Sequence, residues 1–125
     1  FGTPVHFAAI SGMLSSFMDR AFYGRRNLFS NKLGAAVVSC RRGGATAALD
    51  EINKYFGISN MPIVSAQYWN MGHGPEEVMK DEEGMQTMRT LANNMAWLLK
   101  SIEAGRKAGI ELPKREEIIA TNFIR

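Results

Sequence analysis

The chain has 125 residues, of which 46% are hydrophobic, 10% aromatic and 22% charged, a composition typical of one globular domain rather than of a disordered segment. No stretch approaches the roughly 18 consecutive apolar residues of a membrane helix, and the first residues do not resemble a secretion signal, so we expect a cytoplasmic protein without membrane spans. The single cysteine, Cys40, excludes an internal disulfide and a cysteine-rich zinc site.

The net charge of +3 is unevenly distributed. Residues 1–60 contain seven basic and three acidic side chains, whereas residues 61–125 contain eight and nine. Two arginine pairs, Arg25-Arg26 and Arg41-Arg42, supply most of the early excess. They do not form the continuous basic stripe of a protein that reads a phosphate backbone, so a small anionic ligand is an alternative to nucleic acid.

The first half of the chain predicts a helix, a buried strand and a second helix. Residues 11–23 carry apolar side chains at helical spacing, with Ser11 as the N-cap and Gly24 as the stop. Residues 32–40 form an almost continuous apolar run, which is typical of a strand buried on both faces of a parallel sheet. After a Gly-Gly loop, residues 46–56 return to helical spacing, and Gly57 is predicted to end this helix.

The second half predicts one more strand and two helices. Residues 61–66 are a short apolar run that predicts a strand, and residues 67–74 have the composition of a loop. Pro75 followed by two acidic residues predicts a brief helix, and the longest helix is predicted over residues 84–106, with acidic residues 81–83 at its start. The tail from residue 110 has no clear period, although Pro113 and a following acidic pair allow a short helical turn.

This alternation of strands and helices predicts an α/β protein with an open, doubly wound parallel sheet. Two whole strands and a strand end at Phe1-Gly2 are too little sheet to pack against three helices. We therefore expect further strands before Phe1.

Three predicted loops follow strands and should meet at one edge of the sheet, where ligands bind in this class of fold. The loop of residues 3–10 contains His6 and Phe7, and the loop of residues 41–45 contains two arginines and two glycines. The loop of residues 67–74 contains aromatic side chains and His73. This mixture favours a flat aromatic ligand that carries negative charge.

At these residues the sequence resembles a known family. Residues 2–7 (GTPVHF), 11–14 (SGML) and 17–20 (FMDR) are similar to the second flavin loop and the following helix of the NADPH-dependent FMN reductases and iron-sulfur flavoproteins, a branch of the flavodoxin-like fold. Residues 40–44 (CRRGG), 67–74 (QYWNMGHG) and 81–84 (DEEG) continue the likeness in order, over nearly the whole chain. The resemblance implies one flavodoxin-like domain, residues 1–125, that lacks its N-terminal third.

The resemblance also implies that FMN binds at the sheet edge, with the first loop around the isoalloxazine ring and the Gly43-Gly44 loop at its pyrimidine side. The implied cofactor-binding residues are Thr3, Pro4, Val5, His6, Phe7, Cys40, Arg41, Arg42, Gly43, Gly44, Tyr68 and Trp69. Glycine allows a close backbone approach to the ring, and an arginine beside it favours negative charge on the reduced flavin. No catalytic residue and no metal ligand is assigned.

Two features of the family have no counterpart in these residues: the Gly/Ser/Thr-rich phosphate loop and the cysteine cluster of the iron-sulfur branch. Both would precede Phe1, so the sequence leaves the presence of an iron-sulfur cluster undecided. His6 stands where relatives often have tyrosine, which argues against any role that requires a phenol.

Our leading interpretation is an FMN-dependent NAD(P)H oxidoreductase that passes electrons to a quinone, a free flavin or a similar small-molecule acceptor. One alternative is a flavodoxin-type electron carrier without NAD(P)H activity, and another, of a different class, is a basic nucleic-acid-binding module. A homo-oligomer is also expected, with the Met-rich long helix and the Tyr68-Trp69 segment at its interface. The sequence gives neither the acceptor, nor the choice between NADH and NADPH, nor the oligomer size.

Overall fold

A three-stranded parallel sheet lies at the centre of the computed structural model, which describes residues 1–66, 69–117 and 119–123. Strands β1 (Gly2–Pro4), β2 (Val37–Cys40) and β3 (Asn70–Met71) are arranged in that order, with β2 in the middle. Thr3 pairs with Val38, and Ser39 pairs with Asn70. The predicted α/β architecture with a parallel sheet is confirmed.

In the described residues, four α-helices connect or follow the strands: α1 (Gly12–Tyr23), α2 (Ala45–Ile58), α3 (Pro75–Val78) and α4 (Glu82–Lys107). A 3-10 turn, Arg26–Leu28, follows α1. The predicted cap of α1 is confirmed, because the Ser11 Oγ accepts a hydrogen bond from the Leu14 N–H at 3.3 Å. Within the part of the chain described, no helix is long and apolar enough to cross a membrane.

The second predicted strand is wrong, and β3 lies in the segment that was predicted as a loop. Residues 61–66 make one isolated parallel bridge, between Ile63 and Gly34, rather than a strand. Met61 and Val64 are nevertheless buried, so the apolar run marks a buried irregular segment. The predicted strand over residues 32–40 is likewise shorter, because regular pairing begins only at Val37.

The predicted end of the second helix is also wrong. Gly57 remains inside α2, which continues to Ile58. The chain turns at Asn60 instead, where φ is +56°, and the Met61 N–H donates to the Phe56 carbonyl at 3.0 Å. A left-handed asparagine therefore takes the place that glycine commonly has after a helix. In the tail, no helical turn is found within residues 111–117 and 119–123.

The hydrophobic core lies between the sheet and helices α1 and α2. Its largest fully buried side chains are those of Met18, Val38, Ile52 and Phe56. Because α1, β2 and α2 all contribute to this cluster, it anchors the two helices that follow the loops of residues 5–11 and 41–44.

Candidate ligand site at the carboxyl edge of the sheet

The carboxyl ends of the three strands meet at one edge of the sheet, as predicted. Pro4, the last residue of β1, pairs with Ser39, while Cys40, the last residue of β2, pairs with Met71, the last residue of β3. The strand ends therefore differ by one residue, and the loops that follow them start side by side.

The first of these loops contains a tight turn between His6 and Ala9. The N–H of each of these residues donates to the carbonyl of the other at 3.0 Å. Between them, Phe7 and Ala8 have φ values of +48° and +61°, in the left-handed region that non-glycine residues seldom adopt. The turn projects the Phe7 ring entirely into solvent, at 108% relative exposure.

Hydrogen bonds fasten the loop at both ends. On the strand side, the Val5 N–H donates to the Ser39 carbonyl at 2.9 Å, which extends the pairing of β1 with β2. On the helix side, the Ser11 N–H donates to the buried Thr3 hydroxyl at 3.1 Å. The Thr3 hydroxyl in turn donates to the Pro4 carbonyl at 2.8 Å. The Thr3 side chain therefore connects the start of the loop to the residue that precedes α1.

Gly44 brings the second loop into contact with the first. Its φ of +88° lies in the left-handed region, and a Cβ built there would lie 2.8 Å from the Ala8 Cα and 2.9 Å from the Val5 Cγ1. Only a glycine allows this approach, and Gly44 is also the N-cap of α2. The structure therefore brings together two of the three loops that the sequence singled out.

The side chains around Gly44 divide between the surface and the core. Arg41, Arg42 and Gly43 are exposed beside the first loop. Cys40 is only 5% exposed and belongs to the core cluster, and its carbonyl accepts the Gly72 N–H at 3.0 Å. Its thiol therefore packs as a small apolar group.

The third segment is arranged differently from the prediction, because β3 lies within it. Trp69 precedes β3 and packs, partly buried, against the core, and the loop that follows β3 is residues 72–74. Tyr68 lies outside the described residues. In the residue 72–74 loop, the His73 N–H donates to the Glu77 carboxylate at 2.7 Å. Contact of Trp69 with a cofactor stays a prediction.

Asp81 joins β3 to the beginning of α4. Its carboxylate accepts the Gly84 N–H at 2.9 Å and the Met71 N–H at 2.6 Å. These two hydrogen bonds, that of Gly84 foremost, lower the pKa of Asp81. The neighbouring Asn70 is buried, and its amide donates to the Val78 carbonyl at 3.3 Å. The predicted capping of the long helix by its acidic start is confirmed.

Sequence reasoning missed Glu51, on α2. Its carboxylate Oε2 accepts the N–H of Ile10, at the far end of the first loop, at 3.1 Å. The two residues are 41 positions apart. No local sequence pattern predicts this contact. In the sequence, Glu51 looks like any other polar residue beside the apolar face of a helix.

The charge of this edge suits a flat anionic ligand such as FMN. Residues 3–10, 41–44 and 72–74 contain two arginines and two histidines. The carboxylates that reach this edge, those of Glu51, Glu77 and Asp81, each accept a backbone N–H, while both arginines are exposed. Gly44 allows the two loops to pack in direct contact at this edge. An iron-sulfur cluster is a poor fit to these residues alone, because Cys40 is their only cysteine and the described residues hold no group of metal-ligating side chains.

Comparison with known proteins agrees with this arrangement. The family model of the NADPH-dependent FMN reductases matches residues 1–76, which contain β1, β2, β3 and the loops between them. No solved structure gives a significant match.

Two curated relatives match more of the chain, and both come from Methanocaldococcus jannaschii. Iron-sulfur flavoprotein MJ1083 is 32% identical over 112 residues, which cover 82% of this chain and 58% of the relative. Iron-sulfur flavoprotein MJ0731 is 30% identical over 113 residues, covering 79% of this chain and 57% of the relative. The chain thus spans less than two thirds of the length of either relative. Its parallel sheet and helices agree with the flavodoxin-like fold, and the chain belongs to the NADPH-dependent FMN reductase family.

Proposed function

We propose that these residues form the isoalloxazine-binding part of a cytoplasmic FMN-dependent oxidoreductase, which takes electrons from NAD(P)H and gives them to a quinone, a flavin or a similar small acceptor. The observation that carries the proposal is the contact of Gly44 with the left-handed Phe7-Ala8 turn, beside two exposed arginines at the strand ends. The family match and the names of the two relatives support it.

The first loop and the Gly43-Gly44 segment have the task of holding the flavin ring. In this proposal the segment from Thr3 to Phe7 lies along the ring, and the backbone amides near Gly43 donate to the carbonyl oxygens of its pyrimidine side. The paired hydrogen bonds of His6 and Ala9 and the contact with Gly44 restrain this turn, which limits the ordering that binding would require.

Arg41 and Arg42 have an electrostatic task. A guanidinium stays charged over the whole physiological pH range and favours negative charge on the pyrimidine side of the ring. Bound FMN supplies the redox chemistry itself, by accepting a hydride from the nicotinamide and passing electrons onward. Because hydride transfer needs no proton from the protein, the proposal assigns no catalytic acid or base.

The exposed apolar surface of α4 supports a homo-oligomer. Leu99 and Ile102 are 53% and 46% exposed on one side of this helix, and Trp97 is 66% exposed on another side. Their burial between subunits would remove apolar surface from water. Sedimentation of the purified protein should give a species larger than one chain, and a purely monomeric protein would contradict this part of the proposal.

The main test is a titration of the purified protein with FMN, followed by flavin fluorescence, with riboflavin titrated in parallel. Ring contacts predict that both flavins bind, because riboflavin carries the same ring without the phosphate. A full-length protein that remains colourless after the addition of FMN would refute the proposal and the electron-carrier alternative together.

Anaerobic addition of NADPH and of NADH separates the enzyme from the carrier. Bleaching of the visible flavin band supports the oxidoreductase, whereas an oxidised spectrum that persists with both nucleotides favours the carrier. The nucleic-acid alternative predicts a gel shift with nucleic acid at physiological salt, and the absence of a shift would refute it.

A further inference from the structure

Helix α2 contacts the first loop, which contains the strained turn, at two separate points. At its N-terminus, Gly44 packs against Ala8 and Val5. Two turns further along the helix, the Glu51 carboxylate accepts the Ile10 N–H at 3.1 Å. The turn thus lies between a steric contact and a hydrogen bond that both come from the same helix.

The hydrogen bond to Glu51 is well suited to hold the loop. A bond from a backbone N–H to a carboxylate is among the stronger hydrogen bonds in proteins, because the acceptor is charged. Ile10 is only 4% exposed, so its N–H would be left in an apolar environment if the carboxylate were removed. At the other end of the loop, the Val5 N–H is paired with the strand carbonyl of Ser39.

The turn requires such a restraint because of its backbone. Phe7 and Ala8 both have left-handed φ values, and each such residue is less stable there than in the right-handed or extended regions. Without the Glu51 bond, the helix side of the loop would keep only the hydrogen bond of the neighbouring Ser11 N–H to Thr3. The turn could then relax toward negative φ, which would move the Phe7 ring from its place at the ligand edge.

We propose that Glu51 is a positioning residue for the flavin: its carboxylate holds the loop between Val5 and Ile10 in the strained form that presents Phe7 to the ring. The assignment rests on the proposed function for the identity of the ligand. The restraint on the loop belongs to the protein alone, and it is measurable in the absence of FMN.

The experiment compares E51A and E51Q with D50A, a control that removes a carboxylate from the adjacent, exposed position of α2. Amide hydrogen exchange at Ile10 is measured by NMR on the flavin-free protein. FMN affinity is then measured by fluorescence titration, and the visible circular dichroism of the bound flavin reports the surroundings of the ring.

In E51A we expect exchange at Ile10 to accelerate about tenfold or more and the dissociation constant for FMN to rise about tenfold, the size of effect typical of losing a hydrogen bond to a charged group. The circular dichroism of bound flavin should change as well. E51Q keeps a neutral carbonyl oxygen at the same place and should restore part of both values, while D50A should match the unsubstituted protein.

Unchanged Ile10 exchange or unchanged FMN affinity in E51A would overturn the role of Glu51. So would an equal loss in E51Q and E51A, because an acceptor oxygen at this position would then contribute nothing to holding the loop. Failure of the unsubstituted protein to bind FMN refutes the proposed function, whereas normal binding with an unaffected E51A refutes only the positioning role.

Discussion

Replacement of Gly44 by alanine should be strongly destabilising, because this position combines a left-handed φ with a close contact to the backbone of the first loop. An alanine at φ +88° costs about 1–2 kcal/mol for its left-handed conformation. The new Cβ would also lie 2.8 Å from the Ala8 Cα, a backbone atom that cannot rotate away. Forcing such a contact costs about 1–3 kcal/mol more, so we expect the free energy of unfolding to fall by about 2–5 kcal/mol.

Two other glycines separate these contributions. Gly109 has a φ of +85° with no atom within 4 Å of its Cβ position, so G109A should lose only about 1–2 kcal/mol from its backbone conformation. Gly43 has open space at its Cβ position and no left-handed φ, and G43A should change stability by less than about 0.5 kcal/mol.

Urea denaturation of the three variants, followed by circular dichroism, gives the comparison directly. The order of loss should be G44A, then G109A, then G43A. Equal losses in G44A and G109A would refute the close approach of the two loops. The FMN affinity of G109A should be unchanged, because Gly109 ends α4 far along the chain from the strand-end loops, whereas G44A should bind FMN more weakly.

Three further outcomes test other parts of the site. In F7A, the free energy of unfolding should stay within about 0.5 kcal/mol of the unsubstituted value because the ring is fully exposed, while FMN affinity should drop. A variant that loses both its FMN affinity and its stability to urea would contradict this prediction. In the double variant R41A/R42A, the midpoint potential of the bound flavin should be lower and the binding of FMN should depend less on salt. Anaerobic redox titration at two ionic strengths measures both effects. An unchanged potential would place both arginines away from the ring. The pKa of Asp81 is lowered in the folded state, so its stabilising effect is present above the carboxyl pKa of the unfolded chain, about 3.9, and is lost as the pH falls through the lower folded value. Unfolding of D81N should consequently depend less on pH in the acid range than that of the unsubstituted protein, and identical acid profiles would show that Asp81 does not contribute.

Local signals in the sequence predicted most of the helices. Ser11 caps α1 through its own side chain, and Pro75 starts α3 as predicted, because both effects act within three residues of the helix start. The strand at residues 61–66 was wrong because hydrophobicity indicates burial, whereas pairing depends on which segment lies beside β2. Two residues, Asn70 and Met71, take that position instead.

The candidate site was predictable to the extent that topology determines it. Parallel strands carry their following loops to one edge, and this placed His6, Phe7 and the Gly43-Gly44 segment together in advance. The left-handed φ of Phe7 could not be predicted from its residue type, since an aromatic side chain gives no preference for that region. Glu51 could not be predicted either, because its contact joins positions 41 residues apart.

The bond between Met71 and Asp81 also affects how the sheet ends. In the described part of the chain β3 is the outermost strand on its side, and the outward N–H groups of such a strand can pair with a strand from another molecule. Here the strand is two residues long, and the Met71 N–H is already donated to the Asp81 carboxylate at 2.6 Å. An incoming strand would have to displace a charged acceptor to gain one backbone hydrogen bond. The carboxylate that begins α4 should therefore also oppose the pairing of this edge with another strand, and we expect this effect to weaken when acid neutralises Asp81.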